Sequence, residues 1–118
     1  MERARYHDAE PADREVFERA LTSGDEETAA HALVGLAFHD PDWRWVQDHC
    51  LALIADPASP LRRLAATCLS HLARIHRTHD ADRVMPVLRA MAEEPGFDGG
   101  TAQDALEDIE IFIGRRRV

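Results

Sequence analysis

The sequence predicts an all-α protein, an α-α superhelix of about three stacked antiparallel helical hairpins. Three observations predict it. Six segments carry apolar residues at helical spacing, separated by Gly, Pro and Asp punctuation; no run of alternating β-branched residues is long enough for a strand; and the helical pattern repeats along the chain.

The first helix spans about 11–22 and places Val16, Phe17, Ala20 and Leu21 on one stripe, with Gly24 suited to a left-handed C-terminal position. The second, about 26–38, carries Ala29, Leu33 and Leu36 behind an acidic first turn that complements the helix dipole. Asp40 and Pro41 are expected to cap and open the third helix, about 41–55, because Pro loses nothing at a first helical position. Ser59-Pro60 repeats that device ahead of the fourth helix, about 60–76, whose Leu61, Leu64, Ala65, Cys68, Leu69, Leu72 and Ile75 form a broad stripe. The fifth spans about 80–93 behind Asp80, and its Pro86 either kinks the helix or marks its first turn. After "EEPGFDGG" the sixth, about 100–113, turns Ala102, Ala105, Leu106, Ile109 and Phe112 or Ile113 inward.

The even-numbered helices superimpose in sequence. Ala29, Leu33 and Leu36 become Ala65, Leu69 and Leu72, and then Ala102, Leu106 and Ile109. The odd helices align more loosely, Val46, Cys50 and Leu53 with Val84, Leu88 and Met91. Hairpins at about 11–38, 41–76 and 80–113 cannot each bury two apolar sides alone, so they are expected to stack as a short right-handed curved solenoid within a single domain spanning 1–118. The polar ends "ERARYHDAEPADRE" and "GRRRV" are expected to cap the stack.

A helix ending in Asp-Pro followed by "SPLRRLAATCLSHLA" resembles the HEAT repeat, including the HEAT-like units of phycobilisome lyases. The resemblance covers about residues 12–113 and is strongest at 42–76. HEAT units carry a Pro in the first helix, an Asp near the turn and a basic residue in the second helix. Here Asp56 and Arg62 or Arg63 match the last two, and only Pro86 matches the first. The "DPDWRWV" opening and "LAATCLSHLARIH" also look like small HEAT-like proteins of bacterial toxin-immunity neighbourhoods. What the resemblance implies is a protein-binding scaffold: an immunity protein neutralising a cognate toxin or, alternatively, an adaptor or enzyme accessory of the phycobilisome-lyase-like type.

Composition narrows the partner. A net charge of −8 disfavours nucleic acid and anionic lipid and favours a basic protein. All fourteen cations are Arg, and the five that could line a groove, Arg62, Arg63, Arg74, Arg77 and Arg83, stand against that overall charge. No signal-like apolar run opens the chain and no eighteen apolar residues follow one another, so a cytoplasmic protein with no membrane partner is expected. Cys50 and Cys68 sit in helical patterns and read as reduced core thiols.

No catalytic, cofactor or metal site is expected. His71 and His76 are five apart, His76 and His79 fall at a helix end, and His49 diverges from Cys50 around the helix. "DGG" at 98–100 lacks the strand and lysine of a phosphate loop. The candidate partner-binding residues are therefore Asp42, Trp45, Glu107, Asp108 and Glu110. Trp43 lies with Val46 and Cys50 on the core face of its helix, and Trp45 points nearly opposite, either onto the preceding hairpin or outward as an anchor. From Ala90 through Gly114 there are seven acids and no base, against six arginines and two acids from Leu61 through Arg89. The acidic segment is either a solvated outer face or a docking surface.

Overall fold

The computed structural model describes residues 11–114. These form α1 (Arg14–Ser23), α2 (Glu26–His39), α3 (Trp43–Ala55), α4 (Arg62–His76), α5 (Ala81–Ala92) and α6 (Gly96–Ile109), closed by a π-helical turn at Glu110–Gly114, with no strand among the described residues. Of the polar ends assigned as caps, residues 2–15 and 114–118, only 11–15 and Gly114 fall within that range.

The helix boundaries follow local chemistry. Asp13 caps α1 by accepting the Glu15 N–H at 2.7 Å, and Gly24, at φ 79°, ends it in the left-handed region that costs a glycine nothing. Asp25 caps α2 through the Thr28 N–H. The cap of α3 is Asp42, whose carboxylate accepts the Trp45 N–H, and not Asp40. Asp40 is occupied elsewhere: its carboxylate takes both the Nε and an Nη of Arg14, at 2.7 and 2.9 Å, and the Asp42 N–H at 2.9 Å. That fork holds the Asp40 carboxyl below the usual carboxylate range and ties α1 to the end of α2.

Helix α4 begins two residues later than the Ser-Pro signal, because Ser59 Oγ accepts the Leu61 N–H and closes a turn instead of a cap. Pro86 lies inside α5 and does not open it. The sixth helix starts four residues before its expected boundary. Gly96, at φ 77°, absorbs the chain reversal, and the first turn of α6 then lies so close to the end of α5 that a Cβ at Gly99 would overlap the Glu94 carbonyl.

The repeated stripe is the core. Ala29, Leu33, Leu36, Ala65, Leu69, Leu72, Ala102 and Ile109 are buried, and Leu106 is half-buried. In the odd helices Phe17, Val46, Cys50, Val84, Leu88 and Met91 are buried as well. Each fully buried Leu contributes roughly 1.5–3 kcal/mol relative to exposure. Val16 is a correction to the expected stripe: it is 41% exposed, while Phe17 and Ala20 carry the contact with α2 and the core. The Trp43 ring touches the core, yet it too departs from expectation, being half-buried at the first residue of its helix with the Arg44 guanidinium 4.4 Å above it.

Neighbouring helices pack: α1 on α2, α3 on α4 and α5 on α6, with α2, α4 and α6 in a row and α3 also against α5. The radius of gyration, 13.7 Å, is that of a compact chain of this length.

One buried cation joins three helices. Arg62, 7% exposed, gives its Nε to the Ile54 carbonyl at the end of α3 and both Nη groups to Glu94, and it reaches Asp98 of α6 at 3.0 Å. The fork holds the Glu94 carboxyl below its usual range. A lysine can satisfy only part of this planar set of acceptors. Arg62→Lys is therefore expected to lower the melting temperature by about 10 °C, read by circular dichroism; an unchanged midpoint would show that the fork contributes nothing.

Candidate docking surface

The five sequence-derived residues fall into two groups on elements that do not pack together. Asp42 and Trp45 belong to the first turn of α3, facing α1; Glu107 and Asp108 close α6, and Glu110 opens the π turn. Helix α6 packs on α4 and α5, whereas α3 meets α1 through side chains.

Around Trp45 the surface is built from aromatic contacts. Its ring stands edge-on to Phe17 of α1 at 6.3 Å, lies 4.2 Å from His49, and carries the Arg14 guanidinium at 4.5 Å. His49 also meets Phe17 edge-on at 5.3 Å and brings Nε2 within 3.8 Å of Glu18. Trp45 thus packs against the preceding hairpin, half-buried, and anchors α1 where backbone contact with α3 is slight. Asp42 is exposed, 3.7 Å from Arg14, and its carboxylate is committed to capping.

The α6 group differs in kind. Asp104, Glu107, Asp108 and Glu110 are exposed, and no ion pair among the described residues involves them. Four acids elsewhere are matched by arginines, Asp40 to Arg14, Asp48 to Arg83, and Glu94 and Asp98 to Arg62, while Glu26, Glu27, Asp56, Asp82 and Glu93 are exposed at scattered positions. Those pairs also engage three of the arginines considered for a basic groove, since Arg62, Arg63 and Arg83 all face carboxylates. Beside Glu110 a groove of about 580 Å³ opens between α5 and the end of α6, floored by Met85, Pro86, Ile109 and Ile113 and edged by Asp82 and Arg89.

The remaining chemistry-bearing groups are internal. A hydrogen bond to Cys68 and full burial push the Cys50 thiol well above its usual range, which suppresses thiolate formation. His71 sits 5.1 Å from the Phe38 ring, and burial together with nearby Arg74 lowers it from 6.5 to about 4. Burial pushes His76 and His79 down as well. Among the described residues no three His, Cys, Asp or Glu side chains gather where a metal ion could be held, and no helix is long and apolar enough to cross a membrane.

Two further residues matter that no sequence pattern singles out. Gln47, 1% exposed, accepts the Asp80 N–H at 3.1 Å and so supports the start of α5; an isolated Gln between Val46 and Asp48 gives no signal for that role. Phe97 is 80% exposed on α6, in the stretch expected to precede that helix.

Trp45→Ala is expected to cost roughly 2 kcal/mol of stability in urea melts, since it removes the ring that Phe17, His49 and Arg14 contact; a loss of binding with no loss of stability would reverse that assignment. The histidines set an acid response. Between pH 6.5 and about 4 the unfolded chain takes up a proton that folded His71 refuses, so stability falls as pH falls through that window. His76 and His79 act with the same sign. His71→Gln should flatten the pH dependence of the melting temperature in that range. No protein-family model, curated protein or solved structure matches the chain.

Proposed function

We propose that the chain is a short HEAT-like α-solenoid acting as a non-catalytic protein-binding module for a basic protein. In its sharpest form this is a cytoplasmic immunity protein that neutralises a cognate bacterial toxin. The observation that carries the reading is the run of exposed, unmatched acids toward the end of α6. Asp40, Asp48, Glu94 and Asp98 are matched by arginines, whereas Asp104, Glu107, Asp108 and Glu110, four acids within seven residues, stand exposed without an ion-pair partner among the described residues. Such a field accelerates encounter with a basic surface and fixes its register more than it adds to affinity.

The pairing of α1 with α2, α3 with α4 and α5 with α6, and the row formed by the even-numbered helices, support the stacked-hairpin architecture. A principal-axis extent of 41 Å gives a side long enough for a standard interface of about 800 Å² per partner. The immunity role draws on the resemblance of "DPDWRWV" and "LAATCLSHLARIH" to small proteins of toxin-immunity neighbourhoods.

Co-expression with basic products of adjacent genes tests the reading. A tight complex and protection of the host are expected. The triple substitution Glu107→Lys, Asp108→Lys, Glu110→Lys should slow association about tenfold at low salt and leave the melting temperature nearly unchanged, because all three side chains are exposed. Failure to bind any basic neighbour, or association indifferent to the triple substitution, would remove the proposal.

A further inference from the structure

Three large hydrophobic side chains are exposed among the described residues, Val16, Phe97 and Ile111, and two of them share the outward side of α6 and its π turn. The buried side of this segment holds Gly99, Ala102, Ala105 and Ile109. At 100° per residue the opposite side presents Phe97, Gly100, Asp104, Glu107, Asp108 and Ile111 in order. Phe97 is 80% exposed and Ile111 45% exposed, fourteen residues apart in sequence, about 21 Å along a helix axis. Helix α6 is also the last of the even-numbered row, with α4 on its inner side, so its outward side has no helix of the described residues against it. A terminal helix of a repeat stack needs a polar outer face. The acids supply that polarity, and the two apolar ends interrupt it.

Gly100 adds an independent observation. Gly99 is required by the close Glu94 carbonyl, but a Cβ at Gly100 would meet nothing within 4 Å and its backbone has no positive φ. A glycine inside a helix weakens it relative to alanine, and nothing within the described protein calls for one here. It leaves the backbone bare between Phe97 and Asp104, where a second backbone can approach closely.

Resting on the docking reading above, we infer that the outward side of α6 seats a basic amphipathic helix of the partner. Its apolar residues would cover Phe97 and Ile111, its Lys or Arg side chains would face Asp104, Glu107 and Asp108, and its backbone would cross closest at Gly100. Charge selects this occupant over a second copy of the chain, because an isologous pairing of two α6 helices brings their carboxylate rows together. The surroundings hold Phe97 in place: the Arg63 guanidinium lies 5.6 Å from its ring centroid, and the adjacent Asp98 is fixed by Arg62. A helix-in-groove interface draws its affinity from such apolar anchors and its selectivity from the charges between them.

The test uses the full chain and a fluorescent eighteen-residue helical peptide with Leu at two positions fourteen apart and Lys between them on the same face. A second peptide replaces each Lys with Glu. Saturable anisotropy is expected with the basic peptide and at least about tenfold weaker binding with the acidic one. Phe97→Ala and Ile111→Ser should each weaken the basic peptide by about three- to tenfold. Gly100→Gln should raise the melting temperature yet weaken binding, a combination that a purely structural effect on the helix does not produce. Absence of saturable binding to the basic peptide, equal binding of both peptides, insensitivity to all three substitutions, or a concentration-dependent dimer abolished by Phe97→Asp would each overturn the inference. Binding of a whole basic protein distinguishes the helical seat from docking itself. If a basic partner protein is retained by every one of these variants but lost on reversal of Glu107, Asp108 and Glu110, only the helical seat on α6 is wrong; if no basic protein binds the wild-type chain, both readings fall.

Discussion

Helix α4 must satisfy three neighbours at once, and that requirement organises the molecule. It packs against α2 on one side, α6 on the other and α3 within its own hairpin, so apolar or small residues cover much of its circumference: Ala65, Ala66, Cys68, Leu69, Leu72 and Ala73 are all buried. Small residues let the flanking helices approach, and leucines fill the space between them. The same order of Ala, Leu and a final large aliphatic in α2 and α6 follows from that geometry, because adjacent members of the row meet through similar stripes. Arg62 completes the constraint at one end of α4 by fixing the turns on either side of it. Burying a guanidinium is tolerable there because backbone and carboxylate acceptors take its donors.

Electrostatics divide along the same line. Where helices meet, charges are consumed in forks and caps: Arg14 with Asp40, Arg83 with Asp48, Asp42 with the start of α3. These interactions set angles between elements and leave little charge available to a partner. On α6, beyond Asp98, no acid has an ion-pair partner among the described residues, and Asp104, Glu107 and Asp108 project a field outward. Net charge alone therefore understates the asymmetry, because it does not register which carboxylates are already matched.

Much of this architecture is legible in the sequence because it rests on periodicity. The apolar stripe, spaced 36 or 37 residues apart, names eight buried side chains and one half-buried, since a helix with the wrong residue there would open a cavity. Boundaries were less legible where a side chain had two possible jobs. Asp40 reads as a cap, but an arginine 26 residues away claims it and passes the cap to Asp42. The start of α6 falls inside the Gly-rich stretch expected to precede it, where Gly99 permits a close backbone approach that no periodicity encodes. The docking candidates were partly legible: the acids are exposed as a run of like charge predicts, whereas the environment of Trp45 depends on Phe17, a contact between hairpins that no local pattern encodes. Phe97 carried no signal at all, because exposure of a single aromatic is decided by where the chain turns.

The paired thiols of the middle hairpin have a practical consequence. Cys50 and Cys68 are both fully enclosed, one on α3 and one on α4, and burial beside the Cys68 thiol keeps Cys50 protonated. An alkylating reagent can reach either sulfur only after the α3–α4 contact parts. Their modification rate, set against that of the denatured chain, thus measures how often this hairpin breathes, and comparing it with global unfolding separates local opening from complete loss of structure. The protein carries its own gauge of whether its centre opens as one unit or piece by piece.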